Sequence, residues 1–142
     1  MRNINWIWQG AVAGIIAGIV FAFFLVHAGM LETLGNIINL PSMAGGLLVH
    51  TVVSIGGGIA FALILGWLIN SWISAVGLGV LFGFALWIGG PMTLLPALSS
   101  GAPLFAKWTI EGVKQNIPAL VGHIVYGAVL GISYFILKKN TK

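Results

Sequence analysis

Hydrophobic and polar positions fall along this chain in long blocks rather than at a strict helical or alternating period. Four apolar runs, at about 6–27, 45–69, 73–95 and 118–137, contain no Asp, Glu, Lys or Arg. Each holds about 20 residues or more, the length a helix needs to cross hydrocarbon about 30 Å thick. Backbone groups in lipid must be bonded within their own segment, so runs of this kind predict helices. The expected fold is all-α, a single four-transmembrane-helix bundle over 1–142.

The polar blocks between the runs are unequal. Asn70-Ser71-Trp72 makes a short turn, whereas about 28–44 and 96–117 form longer connections. Between Leu104 and Ile117, the residues Leu104, Phe105, Trp108, Gly112 and Val113 share one helical face. Lys107, Glu111, Lys114 and Gln115 share another. That pattern predicts a short amphipathic helix on the outer surface. Leu31 to Ile38 reads similarly, with Leu31, Leu34, Ile37 and Ile38 apolar and Glu32 facing water. Pro41 and Pro118 each stop such a segment and let a membrane helix begin.

Composition sharpens this picture. Hydrophobic residues make up 59% of 142 positions and charged residues 6%, with a mean hydropathy of +1.09. A soluble domain carries roughly a quarter of its residues charged, so lipid must solvate most of this surface. No cysteine is present, which excludes disulfides, thiolate metal sites and cysteine catalysis.

The net charge of +4 is placed at the chain ends. Arg2, Lys138, Lys139 and Lys142 lie on the side of the termini with no acid beside them, while Lys107, Lys114, Glu32 and Glu111 cancel on the other. No basic stripe forms, so nucleic acid is not an expected partner. The positive-inside rule puts both termini and the short turn in the cytoplasm, implying a multi-pass protein of the inner (cytoplasmic) membrane. Trp6, Trp8, Trp67 and Trp72 then form an aromatic belt at the inner interface. The first run is read as a span and not a cleaved leader, since it is too long and no small-x-small site follows it.

The chain also repeats itself. Asn39-Leu40-Pro41 precedes His50 as Asn116-Ile117-Pro118 precedes His123. Aligning the two histidines pairs Val52 with Val125, Gly58 with Gly131, Ile59 with Ile132 and Phe61 with Tyr134. In the first helix of each half, Gly14 and Gly18 match Gly79 and Gly83. Two tandem helical hairpins packed about a pseudo-twofold axis along the membrane normal are the expected result. Gly10, Gly14 and Gly18 form one stripe, Gly79 and Gly83 a second, and Gly127 and Gly131 a third. Small residues allow close backbone approach between helices in lipid, so these are expected packing positions, within the chain or between copies.

Three histidines carry the candidate chemistry. His27 ends the first span, His50 opens the second and His123 opens the fourth, all toward the outer side. Met30, Met43 and Met92 fall at outer helix ends as possible soft-metal support. Imidazole with thioether suits copper, and imidazole alone suits zinc or haem. No His-x-x-x-His spacing occurs, so no cofactor is the primary expectation, and hydrogen bonding or pH sensing are the alternatives. His50 with Ser54, and His123 with Tyr126, share helix faces, but no acid lies in a span to orient a base and Ser54 lacks the Gly-x-Ser-x-Gly context. An enzyme is not expected. Glu32 and Glu111 read as solvated charges.

At Gly122-His123-Ile124-Val125-Tyr126-Gly127 the last span resembles that of small uncharacterised bacterial inner-membrane proteins of the YagU-like type. His50 and Trp87-Ile88-Gly89-Gly90-Pro91-Met92 fit the same likeness, which covers the last two helices. The resemblance implies an inner-membrane location and no mechanism. Three functions are expected in order. The first is a structural or accessory membrane subunit, self-associated or joined to other subunits in the bilayer. The second is a small channel or transporter built from several copies, with Thr51, Ser54 and Ser133 as lining. The third is a metal- or haem-binding protein using the histidines.

Overall fold

A computed structural model describes residues 5–140. Arg2 and Lys142, on which part of the charge asymmetry rests, lie outside the described residues, as does Met1. Among the described residues the chain is helical, without strands. Helix α1 covers Asn5–His27, α2 Leu31–Gly35, α3 Met43–Ile64, α4 Trp72–Gly89, α5 Leu95–Ser100, α6 Ile110–Gln115 and α7 Ile117–Lys139. Four segments are long and apolar enough to cross a membrane: α1, α3, the continuous rod Trp72–Ser100 formed by α4 and α5, and α7.

Local chemistry sets most of the ends. Gly29, at a φ of +64°, closes α1 with backbone bonds from Gly29 to Val26 and from Met30 to Leu25, the Schellman pattern that glycine favours. The Ser42 hydroxyl accepts the Gly45 N–H at 3.1 Å to start α3. Ser71 and Ser74 form a reciprocal capping box at the head of α4. Pro91 has no N–H to continue an α-helix, and Gly90–Leu94 passes through a π-helical turn. The Thr93 hydroxyl stabilises that turn by donating to Ile88 O at 2.7 Å.

The outer connections are shorter in helix than their apolar spacing predicts. Leu104–Lys107 is turn, Phe105 has a φ of +66°, and only Ile110–Gln115 is helical. Thr109 explains the late start, because its side chain caps the Gly112 N–H at 3.0 Å and so places the helix end just before Ile110. Leu104, Phe105, Trp108 and Ile110 are exposed, the arrangement of a segment that meets lipid at an interface. Leu31–Ile38 divides into α2 and a 3-10 turn at Asn36–Ile38.

The hairpins α1–α3 and α4–α7 are built alike, contact for contact. A Cβ on Gly14 would collide with Ser54 O and crowd Gly58, while a Cβ on Gly79 would collide with Gly127 O and crowd Gly131. Gly18 faces His50 and Ser54 as Gly83 faces His123 and Gly127. Gly58 sits against Gly10 and Gly14 as Gly131 sits against Ala75 and Gly79. Each of these pairs follows from the two alignments that match Gly14 to Gly79 and His50 to His123.

Between the hairpins the symmetry fails. Helices α1 and α7 lie close along their length, whereas α3 and α4 have almost no close backbone approach and meet through Phe61 on Phe82 at 5.3 Å between ring centres. Side-chain size is the physical reason. Ala13 and Ala17, both fully buried, share a stripe with Phe21, which packs on Gly122 of α7. The matching positions on α4 are Leu78, Phe82 and Leu86, which fill the space and hold α3 away. The core therefore runs along the α1–α7 contact through Phe21, Tyr126, Leu130 and Tyr134.

One end of the bundle carries exposed Trp8, Trp67 and Trp72, with Trp6 half-buried. There the Lys138 ammonium of α7 donates to Gly66 O and Ile69 O, each at 2.7 Å. Those carbonyls belong to the 3-10 turn that ends the second span, so the last helix caps the second.

Candidate functional site

The three histidines divide between two neighbouring places in the half of the bundle away from Lys138. His50, almost fully buried, donates from Nε2 to Gly18 O at 2.8 Å, which ties α3 to α1. Ser54 Oγ lies 3.4 Å from the same nitrogen. His123 is half-buried and donates from Nδ1 to Ala119 O of its own helix at 2.8 Å. Both imidazoles rest edge-on against Phe21, with ring centres at 5.5 Å and 4.7 Å respectively. The Tyr126 hydroxyl donates to Ser54 O at 2.8 Å, which links α7 to α3 across the same layer. Phe21 occupies the middle of this cluster because Gly122 has no side chain to oppose it.

His27 stands apart from that layer. It is exposed and donates from Nδ1 to Phe23 O at 2.7 Å. With His50 it lines an apolar groove of about 610 Å³ between the outer halves of α1 and α3, walled by Ile15, Ile19, Phe23, Val26 and Leu47. Gly18, Ala22 and Ser54 also line it, and Thr51 stands on its rim with its hydroxyl donated to Leu47 O. The two hairpin helices are closest where Gly10, Gly14 and Gly58 meet.

The second hairpin treats the matching place differently. Trp87 stands where the first hairpin has Ala22. It is 5% exposed, and its indole N–H donates to Asn116 O at the head of α7 at 2.9 Å. The ring therefore bridges α4 and α7. Beyond it a cavity of about 460 Å³ opens between the π-helical turn and α6, lined by Trp87, Met92, Trp108 and Lys114 among others. The Trp108 indole N–H donates to Thr93 Oγ1 at 3.0 Å.

The methionines differ in their burial. Met92 is buried in the π-helical turn, Met43 is exposed at the head of α3, and Met30 is half-buried before α2. Among the described residues no group of three or more His, Asp or Glu side chains is placed to hold a metal ion. Glu32 and Glu111 are exposed, with Glu111 accepting from Gln115. Thr51 and Ser54 belong to the first hairpin, while Ser133 lies half-buried on α7. Every buried side-chain nitrogen or oxygen among the described residues has a hydrogen-bond partner. Such a layer fixes helices against one another.

Phe21, Ala22 and Trp87 are the site residues that sequence reasoning missed as such. Phe21 is one more aromatic in an apolar run, and only its spacing of three from Gly18 hints at a neighbouring face. The Ala22–Trp87 difference was accessible by extending the repeat alignment one turn beyond Gly18 and Gly83. No family model matches the chain, and no curated protein or solved structure matches it.

Proposed function

We propose that the protein is a small, non-catalytic integral membrane subunit that works by assembling with copies of itself. The observation that carries this reading is a set of glycines within the spans that have no partner surface in their own chain. Gly56 on α3 and Gly77 on α4 are exposed, and a Cβ at either would meet nothing within 4 Å. Glycine inside a helix costs roughly 1 kcal/mol relative to alanine. The seams at Gly14 and Gly79 recover that cost by close packing, whereas Gly56 and Gly77 recover nothing unless another helix approaches. The satisfied interior supports the same reading over conduction through a single chain.

The test is the mass of the purified protein in mild detergent. The wild-type chain is expected as a defined oligomer, and Gly56→Leu with Gly77→Leu as a single chain of unchanged helix content. A wild-type protein that runs as a single chain throughout would overturn the reading. The expected membrane is the bacterial inner membrane, with both termini cytoplasmic. The Trp belt beside Lys138 and Lys139 supports that orientation.

A further inference from the structure

The two hairpins share their glycine seams but differ in the groove beside them, and the difference is systematic. Around the open groove of the first hairpin stand Ala22, His27, Thr51 and Ser54. The matching residues of the second are Trp87, Met92, Ile124 and Gly127. One hairpin places its own indole and apolar side chains there, and its cavity opens beyond the indole. The other leaves the space open and lines it with groups that hydrogen-bond. We propose that the open groove binds a membrane-soluble molecule with a planar ring, a hydroxyl on that ring and an apolar tail. This proposal is independent of self-association.

Each part of that description follows from the lining. The groove opens sideways from a segment that crosses hydrocarbon, so its occupant partitions from lipid and not from water. Its volume of about 610 Å³ falls within the roughly 300–1,000 Å³ of small-molecule sites, which combine apolar walls with a few polar groups. In the second hairpin a flat ring, that of Trp87, starts from the position that matches Ala22 and reaches the head of the facing helix. From Ile15 to His27 the helix rises about 18 Å, room for a tail along Ile15 and Ile19 with the ring near Ala22.

Three of the groove's four polar side chains select a donor. His27 and His50 each give a ring N–H to a backbone carbonyl, so in the neutral rings the second nitrogen is an acceptor. The Thr51 hydroxyl has its hydrogen engaged by Leu47 O and likewise offers only its lone pairs. A hydroxyl that donates satisfies these acceptors, and an ether at the same place cannot.

The experiment compares 4-nonylphenol with its methyl ether, 4-nonylanisole, on the full chain in lipid nanodiscs, with bound molecules counted by native mass spectrometry. The phenol is expected to saturate at one molecule per chain and to bind about tenfold tighter than the ether. Ala22→Trp should abolish binding of both, as the second hairpin's own solution does. Thr51→Val, a change at an exposed position that keeps the shape, should weaken the phenol and leave the ether unchanged. Equal binding of phenol and ether in every form would mean that ordinary acyl chains fill the groove, and would overturn the proposal. So would the absence of saturable binding, or an Ala22→Trp chain that retains the phenol.

Discussion

A single methyl group is enough to force apart the helices of either hairpin. At Gly14 it would strike the Ser54 carbonyl and at Gly79 the Gly127 carbonyl, and backbone cannot give way as a flexible side chain can. Overpacking of this kind costs about 1–3 kcal/mol. Gly14→Ala and Gly79→Ala should therefore lower the unfolding midpoint in detergent by similar amounts, since the two contacts are built alike. A large loss at one position with none at the other would refute the contact-for-contact equivalence of the hairpins. The residues that break that equivalence are also single side chains: Ala13 and Ala17 against Leu78 and Phe82, and Ala22 against Trp87.

At the scale of helices, spans were legible in the sequence because lipid enforces them: about 20 uncharged residues have no alternative to hydrogen-bonding within themselves. Helices α1 and α7 begin and end within a residue or two of the apolar runs, whereas α3 stops at Ile64 and the third span runs on to Ser100. Less was legible where side chains compete with the backbone. Thr109 captures the Gly112 amide and shortens the outer helix to Ile110–Gln115, and Pro91 turns the end of α4 into a π-helical passage. The candidate site was legible only in part. The level of His50 and His123 followed from topology, but their shared contact with Phe21 depends on the crossing of α1 and α7, which spacing within one helix does not specify. At the head of α4, Ser71 and Ser74 cap one another through both backbone and side-chain bonds. Losing an N-cap costs about 1 kcal/mol. Ser71→Ala and Ser74→Ala should each destabilise, and the double variant should cost clearly less than their sum, because the two residues make one device. Additive losses in thermal unfolding would show two separate caps.

The whole molecule has two unlike ends. One gathers exposed tryptophans with Lys138 and Lys139, and the other carries the outer helix with Lys107, Glu111 and Lys114. The absence of cysteine makes the orientation measurable by a single introduced thiol. In intact cells a membrane-impermeant maleimide should label Lys114→Cys and should reach Lys139→Cys only after lysis. The reverse pattern would invert the topology while leaving the fold intact.

Lys138 makes the end of one hairpin depend on the other. The carbonyls of Gly66 and Ile69 belong to the end of the second span, yet the ammonium that bonds them arrives near the end of the fourth. The end of the first hairpin is thus closed by a side chain of the second, across about seventy residues of chain.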